Sequence, residues 1–229
     1  MKFLEIAWKD LKAEFRTKQM LNSMMIFAFL VIVIFSFAFG NEASIYISFL
    51  NVEIIDLLAP GMLWIAFTFA GMLGLSRSFA VEKEEGCLEG LKLCPVERSE
   101  IYNGKVVSNM VLMFLMEIIT IPVFAVLFNY DIKNIPGLLL VILLGTFGFI
   151  FTGTLISALT VNTRTREILL PVIIFPVLLP VILLAVSATE VMLTAGEISE
   201  ITGELQLLVI YDIIFFVVAQ MVFEYTIED

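Results

Sequence analysis

The chain has 229 residues, and 60% of them are apolar, against roughly 45–50% in soluble domains. A soluble core could not hide so much apolar surface, so the composition excludes a soluble globular protein and points to an integral membrane one. A net charge of −10 argues against a nucleic-acid partner, and the lack of any histidine removes the commonest metal and haem ligand and the usual general base.

Residues 1–19 read as an amphipathic helix. Leu4, Trp8, Leu11 and Phe15 recur on one helical face, with Lys2, Lys9, Lys12 and Arg16 opposite. Such a helix lies in the membrane interface with its cations towards lipid headgroups and Trp8, Leu11 and Phe15 as its anchors. The plainer reading is an extended start to the first span. No small-residue cleavage motif follows the first apolar run, so that run is expected to stay in the membrane.

Six apolar runs follow, approximately Met20–Gly40, Leu57–Ala80, Lys105–Asn129, Gly137–Thr160, Ile168–Ser187 and Leu205–Phe223. Each is close to the roughly 20 residues that cross a bilayer. Twelve of the thirteen Lys and Arg fall on one side of this topology, and only Lys133 falls on the other. The positive-inside rule makes the cation-rich side the cytoplasm, which places both termini inside a cell membrane. The fold class expected is therefore all-α, a single six-span membrane domain over residues 1–229.

The longest polar island is Val81–Pro95, within a cytoplasmic loop over 81–98. Glu82, Glu84, Glu85 and Glu89 stand beside Lys83 and Lys92, Gly86 interrupts them, and Pro95 ends the pattern. Leu88 and Leu91 are three apart, so a short helix here carries a small apolar ridge suited to another protein's groove. A solvated loop is the alternative that the spacing leaves open. Cys87 and Cys94 also lie here. A reducing compartment disfavours a disulfide between them, and two cysteines without histidine make a poor zinc site, so no metal is expected.

The outer loops are acidic. Asn41–Asp56 carries Glu42, Glu53 and Asp56, and the segment 188–204 carries Glu190, Glu197, Glu200 and Glu204 on one helical face. That segment allows a short amphipathic or re-entrant helix, which Gly196 and Gly203 would interrupt, while a solvated face is the simpler explanation of the charges themselves. The fifth span holds Pro171, Pro176 and Pro180, each of which removes a backbone donor and favours a kink. Glu117 and Asp212 lie well inside the third and sixth spans with no cation at matching depth. They should face protein or water, protonated or bonded to hydroxyls and to carbonyls freed by the prolines. They either tie neighbouring helices together or line a pathway.

Catalytic signatures are missing. Gly104-Lys105 is followed by Val106 and opens a span rather than a phosphate loop, and there is no Ser/His/Asp set and no H-E-x-x-H. The chain is not expected to be an enzyme, and any nucleotide must be brought by another subunit.

The start KDLKAEFR, the stretch APGMLWIAFTFAGMLGLSRSFAVEKEEGCLEGLKLCPVERSEIYNGK, the proline-rich fifth span and the ending FEYTIED resemble the permease subunits of ABC-2-type exporters. More narrowly, AP-G-x-x-W, L-x-R-S-F and the proline run are similar to the CcmB family, the haem-exporter permease of cytochrome c maturation. The resemblance covers nearly the whole chain. It implies a partner ATPase (CcmA-like) that holds the ATP, haem-handling membrane subunits (CcmC-like and CcmD-like) and a haem chaperone (CcmE-like) on the outer side. Two copies per complex are expected. It also implies that Glu82, Glu84, Glu85, Gly86, Leu88, Glu89, Leu91 and Pro95 form the element that docks on the ATPase. No cofactor is expected on this chain alone. Haem is the implied cargo, and an exporter of lipid, polysaccharide or drug, or a non-transporting scaffold, are the readings that compete.

Overall fold

The computed structural model describes residues 2–39, 46–47, 52–84, 86, 97–161, 163, 165–194 and 196–226. Helix α1 (Lys2–Thr17) turns into α2 (Gln19–Phe39) at Lys18, whose φ of 54° ends the first helix in the left-handed region. The Glu14 side chain reaches over this corner and accepts the Leu21 N–H at 2.8 Å, capping the start of α2. Next come β1 (Tyr46–Ile47), β2 (Val52–Glu53), α3 (Ile54–Ser78) and the short α4 (Ala80–Glu84). The chain then runs through α5 (Arg98–Leu127), α6 (Ile135–Thr160), α7 (Arg166–Leu193), a 3-10 turn (Ile198–Ile201) and α8 (Thr202–Thr226).

Six of these helices are long and apolar enough to cross a membrane, and the protein is a multi-pass membrane protein of all-α class. The two-residue strands pair antiparallel, Tyr46 with Glu53 and Ile47 with Val52, a ribbon that hydropathy does not reveal. The centre belongs to α3 and α6. Their most apolar windows are 61% and 67% buried, against 17–33% for the other four spans. Residues with small side chains let α6 be surrounded. Gly145 lies under the Trp64 ring of α3, where any side chain would collide with it, and Gly71 faces Phe149 in the same way. The Trp64 indole N–H then donates to Thr189 Oγ1 of α7 at 2.9 Å, so one tryptophan joins three helices.

The bundle differs from the sequence expectation at three places. First, α5 opens at Arg98 rather than at Lys105, because its early turns form a seat for α1. A side chain at Gly104 would stand 2.8 Å from Ile6 and 2.9 Å from the Phe3 carbonyl. Second, this seat reorients the amphipathic helix. Ile6, Ala7 and Leu11 are buried in the protein, while Leu4, Trp8 and Phe15 stay exposed, so Leu11 anchors α1 to the bundle rather than to lipid. Third, the described residues of 188–204 form no separate amphipathic or re-entrant helix. Their first part completes α7 and their last part opens α8, with a single 3-10 turn between them. Glu197 and Glu200 cap that turn reciprocally, and the Gly196 N–H returns to the Val191 carbonyl at 2.9 Å, so the local hydrogen bonds are satisfied by a tight corner.

Pro171, Pro176 and Pro180 lie within the continuous helix α7. Its buried face is Ile174, Leu178, Val181, Ala185, Ala188 and Met192 at helical spacing, and the prolines stand off it.

Candidate functional site

The charges that the sequence spreads over three segments converge at one end of the bundle. Lys105, seven residues into α5, has a side chain only 4% exposed. Its ammonium stands 2.9 Å from Asp10 of α1 and 3.1 Å from Glu82 of α4. It also donates to the Ser78 carbonyl at 3.1 Å and lies 5.3 Å from the centre of the Phe79 ring. Lys9 completes the group, 2.7 Å from Glu82 and 3.2 Å from Asp10. Two cations and two carboxylates thus alternate across α1, α4 and α5, which lets each buried charge meet an opposite one.

Partial burial acts to lower the Lys9 pKa. The hydrogen bond with Glu82 and the charges of Asp10 and Glu82 outweigh it together, and the net effect is a raised value.

Aromatic packing surrounds this group. The Phe223 ring of α8 lies 5.3 Å from Tyr102 and 6.3 Å from Phe79. The Tyr102 hydroxyl donates to the Phe151 carbonyl of α6 at 2.8 Å. From α4, Lys83 donates to the Val161 carbonyl at 2.9 Å, just past the end of α6. The segment that leads into the polar island is therefore fastened to α1, α5 and α6.

This changes the place of one expected docking residue. Glu82 is buried in the ion network, so its carboxylate faces the bundle and not a partner. Glu84 ends α4, and Gly86 follows with φ of 69°, a left-handed conformation that favours glycine. Glu85, Leu88, Glu89, Leu91 and Pro95 lie outside the described residues, as do Cys87 and Cys94. The network itself is what sequence reasoning missed. Its signal in the sequence is Lys105 standing between Gly104 and Val106 at the head of an apolar run, a position that hydropathy alone makes a span edge. Asp10, an acid among the cations of α1, was the second sign.

The two intramembrane acids sit on different sides of α6. Glu117 of α5 is buried, and its Oε1 accepts the Thr146 hydroxyl at 2.7 Å, the hydroxyl partner that the sequence led one to expect. Its Oε2 is buried and, among the described residues, has no hydrogen-bond partner. Asp212 of α8 has both oxygens buried, also with no partner among the described residues, and is set against Gly148, where a side chain would lie 2.7 Å from Oδ1. The proline-rich helix is reached by its neighbour Tyr211 instead. That hydroxyl donates to the Val177 carbonyl at 3.0 Å, between Pro176 and Pro180, and lies 3.1 Å from Thr152 Oγ1. Among the described residues no three His, Cys, Asp or Glu side chains converge as a metal set.

Six spanning helices, with an ion-paired α4 held at one end of the bundle, are the build of a multi-pass membrane permease. The chain belongs to the CcmB family: the model of that family, described as CcmB protein, matches residues 1–228. Among its relatives, the "Heme exporter protein B" of Pseudomonas aeruginosa is 29% identical over 185 residues, covering 81% of this chain and 79% of the relative. That of Haemophilus influenzae is 29% identical over 190 residues, covering 83% and 82%. That of Rhodobacter capsulatus is 27% identical over 168 residues, covering 73% of each.

Proposed function

We propose that this chain is the permease subunit of an ABC-type haem exporter that serves cytochrome c maturation. The observation that carries the reading is the family match over 1–228, on a six-span fold similar over most of its length to proteins named as haem exporters. ATP is bound and hydrolysed by a CcmA-like partner, and this chain converts that work into motion of its helices. CcmC-like and CcmD-like subunits supply the haem ligands that a chain without histidine does not offer, and a CcmE-like chaperone receives haem outside. Both termini and α4 face the cytoplasm, in keeping with the cation count. Two copies of the chain pair with two ATPases.

In this reading α4 transmits force. The island after it docks on the ATPase through Leu88 and Leu91, and Glu82 and Lys83 carry its movement into α1, α5 and α6. Glu117 and Asp212 line the part of the interior whose hydration changes during the cycle, because three of their four oxygens are buried and unpartnered.

The test is co-purification of the tagged chain from membranes, followed by mass spectrometry and a haem spectrum. The ATPase and the haem-handling subunits should be recovered together. Leu88→Asp should lose the ATPase while leaving the spans inserted, since docking energy concentrates in a few buried anchors. Unchanged ATPase recovery with Leu88→Asp removes the docking role, and an ATPase recovered with no haem-handling subunit points to a different cargo. Glu117→Gln and Asp212→Asn should assemble normally yet slow ATP-driven release of the chaperone, and normal turnover across pH would leave them purely structural.

A further inference from the structure

A cleft of about 490 Å³ opens between α1, the end of α3, α4 and the start of α5. Its back wall is the ion network, in which Lys9 and Lys105 are already matched by Asp10 and Glu82. The remaining carboxylate on the wall, Glu14, accepts the Leu21 N–H. Lys12, Arg16 and Arg77 also line the cleft, and among the described residues none of the three makes an ion pair or hydrogen bond. Five cations therefore line the cleft with three carboxylates, and the cations left without an acidic partner among the described residues are Lys12, Arg16 and Arg77.

The level of the cleft decides what the surplus is for. It lies where α2 begins at Gln19 and where α3 ends at Ser78, which is where spanning helices leave the hydrocarbon. Met20 and Leu112 give it an apolar side continuous with the spans, beside the guanidinium groups of Arg16 and Arg77. Guanidinium groups hold phosphate oxygens in a planar fork, and basic pockets between spanning helices suit lipid headgroups.

We propose that this cleft is a binding site for one anionic phospholipid, its phosphate held by Arg16, Arg77 and Lys12 and its upper acyl chain lying along Met20 and Leu112. Bound there, the lipid bridges α1 to α3 at the mouth of the cleft, as the ion network bridges them to α4 and α5 at its back.

The experiment is native mass spectrometry of the full chain released from detergent, with phosphatidylglycerol, phosphatidylcholine and inorganic phosphate added separately. One phosphatidylglycerol should remain bound per chain and phosphatidylcholine should not. Arg16→Gln with Arg77→Gln should weaken retention about 30-fold, as expected for two cations at a charged membrane surface, and Lys12→Gln alone should weaken it severalfold. Lys133→Gln, which changes a cation outside the cleft, should leave retention unchanged. Equal retention by the double variant, or of phosphatidylcholine, overturns the proposal. Displacement of the lipid by an equal concentration of inorganic phosphate reassigns the cleft to a free phosphate and overturns it as well.

Discussion

The centre of the bundle and its α1 end are both closely packed, but by opposite means. At the centre, α6 is enclosed through small residues: Gly145 receives Trp64, Gly71 receives Phe149 and Gly153 receives Leu75. At the end, α1, α4 and α5 are also joined by the charges of Lys9, Asp10, Glu82 and Lys105. Van der Waals packing of this kind has one good geometry and resists sliding. An ion network holds its members through a few directional contacts and fails when one charge is removed.

Removing the central charge of the network should have the largest effect. Lys105→Met leaves Asp10 and Glu82 in a buried site with only Lys9, and losing one partner of a buried pair costs about 3–5 kcal/mol. The expected outcome is a markedly lower unfolding temperature in detergent, with α1 released to protease. Combining Lys105→Met with Asp10→Asn and Glu82→Gln should recover much of the loss, because the one charge left in the network, Lys9, is half-exposed and stays hydrated. Failure of that recovery would mean that Lys105 acts through its contacts with Ser78 and Phe79 instead.

A smaller loss is expected at the centre. Gly145→Leu places a side chain in the space of the Trp64 ring, and overpacking of this sort costs about 1–3 kcal/mol. The Trp64–Thr189 hydrogen bond should break with it, since the indole has to move. Trp64→Phe in the same background should restore part of the stability by making room. Thermal unfolding of the single and double variants checks this. A Gly145→Leu protein as stable as the parent would show that the centre adapts, and the contrast between the two regions would fall.

The legibility of the sequence divides along the same line. Spans were readable because hydropathy integrates over some twenty residues, and all six emerge close to the expected positions. The pattern AP-G-x-x-W was readable as a resemblance, and the structure supplies its physics: Trp64 needs Gly145 beneath it and Thr189 beside it, residues far away in the chain. Phe79 and Phe223, quoted from two separate motifs, meet in one aromatic cluster. The ion network was not readable, because a charge says nothing of its partner when 73 residues separate Lys9 from Glu82. Hydropathy made Lys105 a boundary, whereas α1 covers it and lets the helix begin seven residues earlier. The acidic corner at 188–204 reads ambiguously for a local reason: Glu197 and Glu200, three apart as on a helix, also suit the reciprocal capping of a tight turn.

The smallest expected effect tests whether the network is held by charge at its exposed edge. Half of the Lys9 side chain is exposed, so its pair with Glu82 is screened and is worth less than about 1 kcal/mol. Its pKa is nevertheless raised in the folded protein, the two carboxylates outweighing partial burial. A group whose folded pKa lies above its unfolded one contributes its full stability below the unfolded value, about 10.4 for lysine, and loses it as pH climbs through the folded one. Cleavage near Lys12 by a protease active in alkali should therefore rise modestly above pH about 10.5. Added salt should raise it at lower pH as well. Lys9→Met should already be cleaved faster at neutral pH and should show less further change. If parent and variant respond alike to alkali and salt, the apolar seat of Ile6 and Leu11 on α5 holds α1 by itself, and the charged end of the molecule is held much as the centre is.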